Sequence, residues 1–218
     1  MLSLLAAAAS ALPGAIELPR YEPGDAFVYS DGRVERVIKA DGASMTWAGL
    51  TGASYKRSRN FIVPVLQWRT GRGMGTREVR GEPDAIWPIA KPKSVRFRVV
   101  TETTATPQSA AKRSVSLWVC KSSKAKLFTV TAGTYEAIPV LCDRYSPTTM
   151  RLLERREWDY APDLGHYVRR VTVNYLRGTT RSVELVAALT GPAASKARLA
   201  AISRQAKQDR AARRQAAK

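Results

Sequence analysis

Ser114-Val115-Ser116-Leu117-Trp118-Val119-Cys120 begins the stretch that decides the fold. Residues 124–131 and 134–145 follow, the second run carrying Cys142, and then residues 151–160, 166–176 and 180–189. Each run is short and rich in β-branched and aromatic side chains. Each is bounded by turn residues such as Ala132-Gly133, Ala161-Pro162-Asp163-Leu164-Gly165 or Arg177-Gly178, the pattern of an antiparallel meander. Tyr167, Arg169, Val171, Val173 and Tyr175 share one parity against His166, Val168, Arg170, Thr172 and Asn174, which is the two-residue period of a strand. Trp158, Tyr160 and Tyr167 crowd around the Pro162 turn, where aromatics cap a core.

Cys120 and Cys142 are the only cysteines. A turn centred on Ala132-Gly133 places Cys142 opposite Lys124, with Cys120 just ahead of a polar Lys121-Ser122-Ser123-Lys124 turn. Both then stand at one end of the meander, formally two strands apart, so a bridge between them needs curl or a bulge. A Cys120–Cys142 disulfide closing a loop of just over twenty residues would be worth ~3 kcal/mol and implies an oxidising compartment. Two buried free thiols are the alternative. Without histidine partners the pair makes a poor zinc site, and no metal or cofactor is implied.

Upstream, residues 25–29 and 33–40 flank Ser30-Asp31-Gly32 as a hairpin, because Asp-Gly supplies the positive φ of a tight turn. Val34, Val37 and Ile38 among Arg33, Glu35, Arg36 and Lys39 suggest a half-buried strand with a charged outer face. Residues 44–48 continue the sheet with Met45 and Trp47 on one side. Residues 51–60 read as a basic loop, residues 61–69 as an edge or irregular segment because of Pro64, and Gly71-Arg72-Gly73-Met74-Gly75 as a flexible loop. Residues 95–101 form a strand, and residues 105–112 connect it onward.

The expected fold is mainly β: a curved antiparallel sheet or partly open barrel built from meanders, with a basic C-terminal helix or tail. Residues 1–15 form an apolar leader whose Ala9-Ser10-Ala11 suits signal-peptide cleavage, although a basic start is missing. Residues 16–190 form the β-sheet domain, and residues 191–218 an Ala/Arg-rich extension, helical or disordered, set off by Gly191-Pro192. No run reaches the length of a transmembrane helix.

Among 218 residues there are 36 Lys and Arg against 18 Asp and Glu, a net charge of +18. The last 28 residues hold +7 of this and residues 16–190 the other +11, so the body is basic in its own right. Such a surface attracts polyanions. In the extension Lys196, Arg204, Lys207, Arg210, Arg214 and Lys218 fall within about a third of a helical wheel. Lys56, Arg57 and Arg59, interleaved with Tyr55 and Phe61, are the best local match to a nucleic-acid contact.

Three phrases carry a resemblance: Ile86-Trp87-Pro88-Ile89, Ala132-Gly133-Thr134-Tyr135 between the cysteines, and the hairpin from Trp158 to Gly165. Together they resemble secreted or periplasmic β-sheet domain-of-unknown-function proteins of Gram-negative bacteria, over residues 20–190 at most. The resemblance implies a curved sheet and an envelope location, and no chemistry.

His166 is the only histidine and no Gly-x-Ser-x-Gly elbow is present. Glu154, Glu157, Asp159 and Asp163 sit among Arg151, Arg155, Arg156, Arg169 and Arg170, so cross-strand pairing accounts for them without catalysis. No catalytic residue is assigned and no enzyme is expected. The sequence points to a periplasmic or secreted binding or scaffold protein. Its partner would be an anionic envelope component (lipid or lipopolysaccharide) or an acidic protein surface. The alternative is a cytoplasmic, basic nucleic-acid- or ribonucleoprotein-associated protein. The anion-binding candidates are Lys196, Arg204, Lys207, Arg210, Arg214, Lys218, Lys56, Arg57 and Arg59.

Overall fold

A computed structural model describes residues 14–71, 73–106 and 108–216. The leader up to Pro13, Arg72, Pro107 and Lys218 lie outside the described residues.

The strands are β1 (Ala26–Tyr29), β2 (Val34–Asp41), β3 (Ser44–Ala48), β4 (Ser54–Ser58), β5 (Gln67–Thr70), β6 (Gly73–Gly81) and β7 (Ser94–Thr104). They continue as β8 (Lys112–Ser122), β9 (Lys126–Val130), β10 (Gly133–Tyr145), β11 (Leu152–Ala161), β12 (His166–Asn174) and β13 (Thr179–Leu189), with the helix α1 (Lys196–Ala216) last. Each pairs antiparallel with the next except β8 with β9, β13 returns to β1, and β10 bonds β8, β9 and β11. The result is a closed 12-strand barrel plus one extra strand, β9, and a single C-terminal helix. Closure satisfies the edges that an open sheet would expose.

β8 and β9 run together as one arm of a hairpin with β10. Val130 pairs with Gly133, Lys126 with Ala137, and Ser122 with Val140. The expected turn at Lys121–Lys124 is therefore absent. The polar residues that suggested it hold backbone instead: Ser122 exchanges hydrogen bonds with Lys93, and the Ser123 amide donates to the Pro139 carbonyl. The register consequently shifts, and Cys142 faces Cys120 rather than Lys124. The two are bridged directly across one hairpin with Cα atoms 4.0 Å apart, and both are fully buried. No curl between distant strands is needed. Cys120→Ala with Cys142→Ala should cost about 3 kcal/mol of stability, because the bridge joins positions 22 residues apart; the urea midpoint reads it.

Two more expectations fail in the first half. Ser54–Ser58 is β4 rather than loop, and Gly73 opens β6 rather than belonging to a flexible loop. Gly75 is required there, since a Cβ would lie 2.3 Å from the Trp68 ring. Residues 61–63, in the irregular segment expected around Pro64, turn inward and bury Phe61, Ile62 and Val63.

These inward segments sort the barrel interior. One end is filled by Tyr21, Phe27, Trp47, Phe61, Trp87, Trp158, Tyr160 and Tyr167 in mutual ring contact. His166 lies inside this cluster, stacked on Phe27 at 3.7 Å. It is a core residue, 1% exposed. Outward faces carry charge: Glu78 and Arg80 on β6 and Arg96 and Arg98 on β7 are exposed, while Phe97 and Val99 are buried inside. That alternation is the reverse of a lipid-facing strand.

The C-terminal extension opens with a 3-10 turn at Gly191–Ala194 and continues as α1 to the end of the described residues. The Ser195 hydroxyl accepts the Arg198 amide as an N-cap. Leu199, Ser203 and Ala206 are buried against the barrel, where Ala26, Val28 and Val34 face outward to receive them. The Ser203 hydroxyl donates to the Gly32 carbonyl at 2.5 Å. Val34 therefore belongs to the outer face and Glu35 to the inner, opposite to the expected charged exterior of β2.

Candidate functional site

The other end of the barrel is an open mouth of about 630 Å³ between β2, β4–β6 and β11–β13. Among the described residues it is lined by eight arginines, no lysine and a single acid, Glu35.

Alternation puts the arginines there. On β11, Glu154, Arg156, Trp158 and Tyr160 share the inner face, leaving Arg155 to pair outside with Asp143 at 2.7 Å. On β12, Arg170, Thr172 and Asn174 line the mouth, while Arg169 binds Glu157 and Asp159. A register shift between Asp159 and Tyr160 separates this half of β12 from the buried His166–Val168 end. Arg33 enters from the turn just before β2, Arg57 and Arg77 from β4 and β6, and Arg69, Arg177 and Arg181 are exposed at the rim.

The deep floor is neutralised. Glu35 lies 3.4 Å from both Arg33 and Arg57 and accepts from the Tyr167 hydroxyl at 2.9 Å. Burial alone would raise its carboxyl. The Arg33, Arg57 and Arg170 guanidiniums outweigh that and hold it well below the usual carboxylate range.

The wall is different. Arg77 donates to the Val65 carbonyl and Thr101 and lies 4.2 Å over the Trp68 ring, with no carboxylate partner among the described residues. Burial, then the positive charge of Arg156 and Arg144, lowers its pKa to about 10. Arg156 is likewise lowered, by burial first, even though Glu154 accepts from it at 2.5 Å. Arg170 has no ion pair among the described residues. The wall is thus a set of crowded cations that an entering anion would relieve. Arg presents a planar fork matched to phosphate or carboxylate, which lysine does not.

The sequence candidates are divided by this geometry. Arg57 is in the mouth, 7% exposed. Lys56 points to the outer face beside Thr46, and Arg59 lies past the far end of β4. Neither joins Arg57. On α1, Arg210 and Arg214 reach the rim beside Arg181 and Asp31. Lys207 lays its aliphatic chain over Gly32. Lys196 starts the helix at the opposite end, and Arg204 is exposed. The residues missed were Arg33, Arg69, Arg77, Arg156, Arg170, Arg177 and Arg181. The available signal was Arg156 sharing parity with Trp158 and Tyr160.

No family model matches the chain, and no curated protein matches it. Solved structures do. The hypothetical lipoprotein YmcC from Escherichia coli (K12) has 6% identity and a TM-score of 0.49 over 76% of this chain and 85% of its own. A protein assigned as exported, with a YmcC-like fold, from Bacteroides fragilis NCTC 9343 has 13% identity and a TM-score of 0.38 over 81% of this chain and 100% of its own. A protein assigned as a lipoprotein from Parabacteroides distasonis ATCC 8503 has 9% identity and a TM-score of 0.34, with the same 81% and 100% coverage.

Proposed function

We propose that this chain is a non-catalytic binding protein of the cell envelope or exterior that holds an anionic partner in the arginine-lined mouth of its barrel. The observation that carries this is the mouth itself: eight arginines and one lining carboxylate, Glu35, in about 630 Å³, within the size range of small-molecule sites. Of these arginines, Glu154 and Asp31 pair only Arg156 and Arg181, from behind the lining. A surface that merely kept the protein soluble would spread its cations outward, where water screens them. Here Arg77 and Arg156 accept a burial cost that an anion offsets. The buried Cys120–Cys142 bridge supports an oxidising compartment.

Calorimetric titration with tripolyphosphate tests the reading. Binding is expected at low ionic strength and should weaken as salt rises. Arg77→Gln with Arg170→Gln should lower affinity about tenfold or more, since hydrogen bonds to charged groups contribute about 1.5–3 kcal/mol. Absence of binding, or equal affinity in the double variant, would overturn it.

A further inference from the structure

We infer that the mouth end of the barrel docks on an anionic bilayer, with a phosphate headgroup entering the mouth. The inference rests on the anion-binding reading and adds what surrounds the mouth.

The topology brings the β10–β11 and β12–β13 turns to this end, joined where the Tyr175 amide donates to the Leu153 carbonyl. Both turns end in exposed apolar side chains: Met150 at 57%, Tyr175 at 48% and Leu176 at 53%. The other large exposed apolar residues among those described, Ile38, Val115 and Leu127, sit singly on strands. Met150 also has φ 53°, the one positive φ at a non-glycine among the described residues. That region favours glycine or asparagine, so neither turn chemistry nor packing selects methionine there.

Cations flank these tips. Arg151 and Arg177 are exposed and adjacent in sequence to Met150 and Leu176. α1 runs along the outside of the barrel from the closed end to the rim, and there Arg210 and Arg214 gather beside Arg181. Exposed apolar tips ringed by arginine, around a cavity that takes anions, suit a surface of lipid phosphates above acyl chains. A soluble anion would have no use for the tips. Each arginine close to such a surface contributes roughly fivefold in partitioning.

Flotation of the full chain with phosphatidylcholine vesicles, with and without about 30% phosphatidylglycerol, tests the surface potential that this face would read. The protein should float with the anionic vesicles and stay behind with the neutral ones. Replacing Met150, Tyr175 and Leu176 together by Ser leaves the charge unchanged. It should lower vesicle binding about tenfold while tripolyphosphate binding stays as in the parent. Arg77→Gln with Arg170→Gln should weaken both. Leu176→Trp supplies an independent readout, with its emission shifting to the blue on anionic vesicles only. If tripolyphosphate binds but vesicles do not, or if the triple serine variant floats like the parent, membrane docking fails and the anion site stands. If neither ligand binds, both fail.

Discussion

Glu35→Gln should destabilise the protein by about 3–5 kcal/mol, the cost of removing one partner from a buried ionic cluster. The carboxylate is 3% exposed and stands between Arg33 and Arg57. Glutamine keeps the shape and an oxygen for the Tyr167 hydroxyl, but it leaves two guanidiniums without countercharge in a mouth already crowded by Arg170. Against a typical total of about 5–15 kcal/mol, that shift should move the urea midpoint far. The exposed pair Lys39–Asp41 is the control, and Asp41→Asn should leave the midpoint in place. The sharper expectation concerns rescue. Sulfate or tripolyphosphate should restore the Glu35→Gln variant more than it stabilises the parent, because the added anion would enter the vacated electrostatic position. Equal stabilisation of both proteins would mean that the anion does not enter the position Glu35 vacates.

The strands were legible where period and turn chemistry agreed. Asp31-Gly32 marked the first hairpin, and residues 44–48 and 166–174 became β3 and β12 nearly as read. β4 and β6 were hidden by polar and glycine-rich composition, although both are secured by the strand between them: Tyr55 pairs with Trp68, and Gly75 accommodates the Trp68 ring. Barrel closure was beyond local reading, since it depends on β13 finding β1 across the whole chain. The mouth was missed for a different reason. Charged residues in strands are normally solvated, so Arg33 and Glu35 read as an outer face, and Arg156 and Arg170 as cross-strand partners of the nearby acids. Once the lumen is half filled by aromatics and half left open to water, the same alternation delivers arginine to the inside. The tail was better served. Its helical composition was plain, but Leu199 lies beside the basic stripe rather than opposite it, so docking the apolar face swings Arg210 and Arg214 to the rim.

His166→Leu should cost about 3–5 kcal/mol, and it should also remove a pH dependence that the parent shows. The imidazole is 1% exposed. Its Nδ1 lies 2.8 Å from the Tyr21 hydroxyl and its Nε2 2.6 Å from the Tyr29 hydroxyl. A neutral ring donates to one and accepts from the other. Leucine orphans both hydroxyls in a dry core, at about 1–3 kcal/mol each. Burial, reinforced by Arg57 and Arg33 and only partly opposed by Glu35, lowers the His166 pKa to about 3 from the ordinary 6.5. Above pH 6.5 the ring is neutral folded and unfolded, and it contributes no slope. Below it the unfolded chain takes up a proton that the folded state refuses, so stability falls with pH at up to about 1.4 kcal/mol per unit. Between about pH 6.5 and 4.5 that amounts to roughly 2–3 kcal/mol. Glu35, held below its usual range, adds its own loss only as pH drops further, through the carboxylate region near 4.3. Chemical denaturation at a series of pH values therefore separates the two groups. The parent should lose stability from pH 6.5 downward, and the His166→Leu protein should hold a flat, lower plateau until carboxylates begin to protonate. A parent equally stable at pH 6.5 and 4.5 would show that His166 takes a proton inside the fold, and the Tyr21–His166–Tyr29 arrangement would have to open to admit it.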